Sequence, residues 1–254
     1  MCKFIRYHAG NSNNIKKMNN FYIYHAHSWE KHNVNIAHFF HEFLFWAIEA
    51  ALNNPSTIFV IDNKLSEWEL SLTKLIIKHL HVKYEVADLM YKHNGMNRIN
   101  LKKSANYHKI FNIIQQIMDK EYADIKYDPN YKVLYLRPEM PRRKIMNYNN
   151  ELNHLFDEVI TDMSSLSFDD QVRLFRKCSL FVSIDGAAMA NIIFMNKKSK
   201  VLVVTTQANN CWTNMFGTCV CVSSVDECVL PYPNFNDNIV YNDKVQEAIT
   251  NFVM

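Results

Sequence analysis

Ser167 to Asn191 reads SFDDQVRLFRKCSLFVSIDGAAMAN, and the order of residue types in this stretch decides the fold class. Leu180 to Ile184 form a short apolar run of the kind that a strand covered on both faces shows. Ser167, with Asp170 three positions on, caps the helix before it. Asp185-Gly186 breaks the run, and Ala187-Ala188 open a second helix with side chains small enough to let another body approach the backbone. Helix, buried strand, abrupt turn and helix again belong to an alternating α/β sheet. Such a turn aims N–H groups and the positive end of a helix dipole outward, which suits a phosphate. Many doubly wound sheets carry such a turn without a ligand, so the neighbouring sequence has to decide.

Upstream lies YLRPEMPRRKIMNYNNEL, in which Arg137 follows the apolar strand Val133 to Leu136, and Arg142, Arg143 and Asn147 precede a helix. Ser165-Leu166-Ser167 and Gln171 then lead into the DGAAMAN turn. This order and spacing resemble glycosyltransferase family 61, whose members carry an Arg after a strand, an Arg-Arg step leading to Asn, a Leu-Ser helix start with a following Gln, and a Gly-Ala turn ending in Asn. The resemblance covers Tyr131 to Thr206, and it reappears at NIAHFFHE, Asn35 to Glu42, similar to the family's Asn-x-x-His element. Two positions depart from the pattern: the family's His before Gly-Ala is Asp185, and its following Gly is Ala188.

Composition sets wider bounds. A chain of 254 residues with 48% hydrophobic and 21% charged residues buries a substantial core, as one large domain or two. The net charge of +3 is too small for a nucleic-acid footprint, and only Arg142 to Lys144 cluster basic residues. The N-terminal MCKFIRYHAGNSNN has no apolar run of signal-peptide length. The most apolar helix contains His41, Glu42 and Glu49, so no membrane span is expected. Of the six cysteines, Cys219 and Cys221 alternate on a strand without metal-knuckle spacing. Free thiols are favoured over a disulfide or zinc site, which implies a reducing compartment, hence a cytoplasm.

The pattern along the chain predicts strands at Phe21–His25, Thr57–Ile61 and Lys83–Val86, with helices at Asn35–Leu52, Ser66–Leu80 and His108–Lys120. Asp128-Pro129-Asn130 is the best linker candidate. Beyond it the alternation is regular: strands Tyr131–Leu136, Glu158–Thr161, Ser179–Ile184 and Lys200–Val204 are separated by helices at Asn149–Phe156, from Ser167, and at Ala187–Met195. A last helix spans Asp243 to Phe252 and is expected to pack back across the boundary. The fold expected is therefore α/β, with two Rossmann-like domains of mostly parallel strands, residues 1–128 and 129–254. The family resemblance implies the two-domain GT-B architecture, with an acceptor-side first half and a nucleotide-sugar-binding second half.

In doubly wound sheets ligands sit beyond the carboxyl ends of the strands. That rule selects Arg137, Asp185 to Ala188 and Thr206 in the second half and Asp62 in the first. A departing diphosphate needs fixed positive charge and oriented N–H donors. Arg137 and Arg143 supply the planar fork, and Gly186, Ala187 and Ala188 the helix start. Arg137 as an ordinary surface residue at a strand end is the alternative. Asn147 and Asp185 come with the family motif, and Asn191 serves either the nucleotide or the loop. For the acceptor proton, His38 and Glu42 are one helical turn apart, so a carboxylate there can orient the imidazole. Structural roles for both stay open, and Asp62 is the other base candidate, with an Asx turn as its plain reading.

The resemblance implies an inverting transfer of a monosaccharide, xylose favoured, from a UDP-sugar (UDP-xylose before other donors) to a hydroxyl of a glycan or glycoprotein acceptor. No Asp-x-Asp triplet occurs, so no metal is expected. A non-catalytic nucleotide-sugar or glycan-binding module on the same fold is the alternative. An Asn-rich core without signal or anchor looks like a microbial or viral version working in a host cytoplasm. The sequence leaves the oligomeric state open.

Overall fold

The structure is a computed structural model and describes residues 20–23, 36, 39–88, 107–137, 145–146, 148–184, 186–204, 239–240 and 243–254. The chain divides into two compact units, Met1–Ile110 and Phe111–Met254.

In the first unit β1 (Asn20–Ile23), β2 (Ile58–Asp62) and β3 (Lys83–Ala87) make a parallel sheet in that order. The central strand reads IFVID, and Phe59, Val60, Ile61 and Asp62 are all buried. A π-helical turn, Phe39–Leu44, runs into α1 (Phe45–Asn53), which buries Phe45, Ala47, Ile48 and Ala50. The helix expected as one regular element therefore changes period at its start. Helix α2 (Glu67–Leu80) begins with a capping box: the Ser66 hydroxyl accepts the Glu69 N–H at 3.3 Å while the Glu69 carboxylate accepts the Ser66 N–H at 2.8 Å. That satisfies two orphan donors and contributes about 1 kcal/mol.

The second unit opens with α3 (Tyr107–Glu121), which starts ahead of the division between the units. Asp128-Pro129-Asn130 forms a turn beyond α3, in which the Asp128 carboxylate accepts the Asn130 N–H at 3.0 Å. Strands β4 (Lys132–Tyr135), β6 (Glu158–Ile160), β7 (Leu180–Ile184) and β8 (Lys200–Val204) form a parallel sheet in the order β6-β4-β7-β8. A two-residue parallel pair, β5 (Ile145–Met146) with β9 (Ile239–Val240), stands apart from it.

Strand alternation divides the core into two layers. Leu134, Val182 and Leu202 pack with Leu152 and Phe156 and with Val245 and Ile249 of α5 (Asp243–Val253). The last helix thus lies in the core of the second sheet, where the Lys132 ammonium also donates to the Val253 carbonyl at 3.0 Å. On the opposite layer Phe175 of α4 (Phe168–Lys177) meets Phe181 of β7 edge-on at 4.8 Å. Burying each such ring stabilises the fold by roughly 1.5–3 kcal/mol.

Two expected helices take other forms. Asn149–Phe156 contains only a 3-10 turn at Asn153–Leu155. The element after β7 is a 3-10 helix over Ala187–Phe194 in place of an α-helix.

Candidate active site

Strand order locates the crevice. From β4 the chain moves to β6 on one side, then α4 carries it back over β4 to β7 on the other. The connections diverge between β4 and β7, and at such a switch point the loops leave a cleft at the carboxyl ends. In register, Lys132 pairs with Leu180 and Tyr135 with Ser183, so the residues beyond these strands emerge side by side.

Arg137 follows β4 and Gly186 follows β7. A β-carbon added to Gly186 would lie 2.5 Å from Arg137 Nη1 and 3.3 Å from Cζ. The guanidinium therefore occupies the space that any other residue at 186 would claim. Gly186 is extended (φ 168°, ψ −175°), so contact rather than backbone conformation calls for glycine here. Arg137 keeps only 9% of its surface exposed. It is a packed residue beyond the end of β4, contrary to the plain surface reading.

Tyr135 is the last residue of β4 and stands two residues before Arg137. Burial pushes its hydroxyl pKa up, the Arg137 charge works the other way, and Asp162 adds to the rise. The Met163 backbone works with Arg137 to limit that rise. The positive charge of Arg137 is thus felt at the phenol, and both groups belong to one polar strand end.

The 3-10 helix begins at Ala187, and a helix start leaves its first N–H groups without partners inside the helix. With three residues per turn, Asn191 lies on the row of Ala188. Asn191 is fully buried, and neither its amide nitrogen nor its amide oxygen has a hydrogen-bond partner. Buried orphan amides are rare because each costs roughly 1–3 kcal/mol.

Gln171 is a structural residue, since its amide donates to the Met163 carbonyl at 3.1 Å and the Leu166 carbonyl at 3.0 Å. It staples the turn that follows β6 to α4. In the first unit Asp62 is 3% exposed at the end of β2. Its carboxylate accepts the Lys64 N–H at 3.2 Å, the Asx-turn arrangement.

Glu42 falls within the π-helical turn, and its side chain is not among those described. His38, Arg143, Asn147, Asp185 and Thr206 lie outside the described residues. Among the described residues no group of three His, Cys, Asp or Glu side chains could hold a metal ion. Nor is any described helix long and apolar enough to cross a membrane.

The Glycosyltransferase 61 family model matches residues 36–202, which include both the NIAHFFHE element from its second residue and the whole β4–β8 sheet except part of its last strand. The chain belongs to glycosyltransferase family 61. No curated protein matches it. Family membership makes the chemistry that of glycosyl transfer, with a nucleotide-sugar donor and a glycan or glycoprotein acceptor. On this family 61 chain the matched segment contains Arg137, Gly186 and Asn191.

Sequence reading missed Tyr135, Gln115 and Arg176. For Gln115 a signal existed: it stands at a core position of the α3 stripe, with Phe111, Ile114 and Met118 buried around it. Arg176 gave none, since a charged residue in the last turn of a helix is ordinarily solvated.

Proposed function

We propose that the protein is an inverting glycosyltransferase of GT-B architecture, moving a monosaccharide from a UDP-sugar, with xylose favoured, to a glycan hydroxyl. The first half would serve the acceptor and the second the donor. The observation that carries this reading is the Arg137 guanidinium seated on Gly186 at the switch point of the second sheet.

The acceptor oxygen attacks the anomeric carbon from the face opposite the leaving group. As its bond to carbon forms, the bond from that carbon to the diphosphate oxygen breaks, and the electron pair leaves with UDP. Negative charge grows on the diphosphate, so an Arg fork and a helix start lower the barrier without reorganising. Arg137, Gly186, Ala187 and Ala188 form this clamp. Arg143 and Asn147 extend the donor site on the strength of the family motif, and Asp185 and Thr206 because each follows a strand end. Asn191 gains a partner for its orphan amide when nucleotide is present.

A general base removes the acceptor proton. The His38–Glu42 pair is favoured, and the π-helical turn that contains Glu42 is of a kind that recurs at functional sites. Asp62 is the second candidate, with one carboxylate oxygen engaged in its turn. The clamp supplies charge stabilisation from the protein itself, so the transfer needs no metal. A reducing, cytoplasmic setting fits the buried free thiol of Cys178, and a viral or microbial origin stays part of this reading.

Asp185 in place of the family's His motivates a second reading, a module that binds nucleotide sugar without transferring it. Incubation with UDP-xylose, UDP-N-acetylglucosamine and UDP-arabinose, with and without glycan acceptors, separates the two. Product of inverted anomeric configuration supports the enzyme; tight binding with neither transfer nor hydrolysis supports the module. No binding of any UDP compound overturns both.

A further inference from the structure

The far end of the 3-10 helix is closed by side chains from two other helices. Of its last three carbonyls, that of Ile192 accepts the Met195 N–H at 3.1 Å. That of Ile193 accepts from the Gln115 amide of α3, and that of Phe194 from Arg176 Nη1 of α4 at 3.4 Å. The same Arg176 nitrogen donates to the Gln115 carbonyl oxygen at 3.3 Å, and its other terminal nitrogen to the Asp119 carboxylate. Gln115 is 2% exposed and Arg176 6%. Both are therefore committed to this junction rather than to solvent.

A 3-10 run of eight residues is long, because its hydrogen bonds are less well aligned than those of an α-helix. Relaxation to α-helix has a large consequence for the site. Over the five steps from Gly186 to Asn191, 3-10 winding advances about 100° further around the axis and about 2.5 Å further along it. Displacements of about 1 Å in a positioned group already cost on the order of 100-fold in rate.

We infer that Gln115 and Arg176 are positioning residues: by holding the Ile193 and Phe194 carbonyls they keep Ala187–Phe194 in 3-10 form and so fix Asn191 relative to Gly186 and Arg137. The inference rests on the donor reading for its functional half only. Neither residue touches the donor; they act through the helix.

The test pairs Gln115→Leu, which keeps the volume and removes both hydrogen bonds, with the milder Arg176→Lys. Amide exchange over 187–195 reads the helix, and UDP titration with donor kinetics reads the site. In Gln115→Leu, exchange over 187–195 rises about tenfold while β7 and α4 stay protected. UDP affinity falls about tenfold, and KM for the donor rises more than kcat falls. Arg176→Lys retains the charge and shows a smaller change in the same direction. Unaltered exchange in both variants, or faster exchange with unaltered UDP affinity, overturns the inference. Should the unaltered protein fail to bind UDP, the donor reading and the functional half fail together. The exchange data would then still decide whether Gln115 and Arg176 hold the helix.

Discussion

Arg137 Nη1 lies 2.5 Å from where a β-carbon on residue 186 would be, so Arg137 and Gly186 are complementary in shape across β4 and β7. One residue gives up its side chain so that the other can lay its guanidinium on the turn. Gly186→Ala should therefore displace the end of a flexible side chain rather than the backbone. Folding stability should change by less than about 1 kcal/mol, a shift of the size expected for substitutions that break no buried network. UDP affinity should fall at least tenfold by calorimetry. Unchanged affinity would mean that the guanidinium does not need its seat.

Arg137 itself separates charge from geometry. Arg137→Ala should lower transfer by about 100- to 1,000-fold, the loss seen when one preorganised donor is removed from a site of developing charge. Arg137→Lys keeps the charge but not the planar fork, so it should recover only part of that loss. Full activity in the Lys variant would show that a point charge suffices.

Asn191 is fully buried with both amide atoms unpartnered, a condition that weakens the fold. Asn191→Leu has similar volume and no polar atoms, so denaturant unfolding should show equal or greater stability. Donor binding should weaken at the same time. A stable variant that binds UDP as well as the parent would assign Asn191 to the loop instead.

Cys178 tests the core of the second sheet through pH. Burial pushes its thiol pKa up to about 12 from an ordinary value of 9.0. The unfolded chain releases this proton near pH 9 while the folded chain keeps it, so the folded state binds more protons between the two values. Stability from this group is complete below pH 9 and declines as pH rises toward 12, by at most about 1.4 kcal/mol per pH unit. Cys178→Ala should flatten that part of the stability curve. Buried Tyr122, raised to about 12, contributes in the same direction.

Ser66→Ala removes the capping box of α2 and should cost about 1 kcal/mol of stability. UDP affinity should not change, because the cap belongs to the first unit and the proposed donor clamp to the second. A loss of binding in this variant would contradict the assignment of the donor to the second unit.

Much of the fold was legible. Lys200–Val204 agrees at both ends, and the other strands of the second sheet agree to within a residue, because parallel strands covered on both faces read as unbroken apolar runs. The convergence of Arg137 and Gly186 was legible in that each follows a strand, whereas the adjacency of those two strands comes from the sheet order. The helix type at Ala187–Phe194 was not. Its sequence suits either winding, and the carbonyl partners that select one, Gln115 and Arg176, stand far away in the chain. Strands β5 and β9 escaped notice for a different reason: two residues give no period to detect. Gln171 was recognised only as part of a motif, whereas its stapling role depends on where the Met163 and Leu166 carbonyls turn.

Helix α3 begins in one unit and carries Gln115 in the other. A shortened version of the protein started at the Asp128-Pro129-Asn130 turn would keep every strand of the β6-β4-β7-β8 sheet and still lose a fastening of its 3-10 helix. Fragments meant to report on sugar-nucleotide affinity therefore have to begin before Tyr107, or their weakness will be mistaken for a property of the intact enzyme.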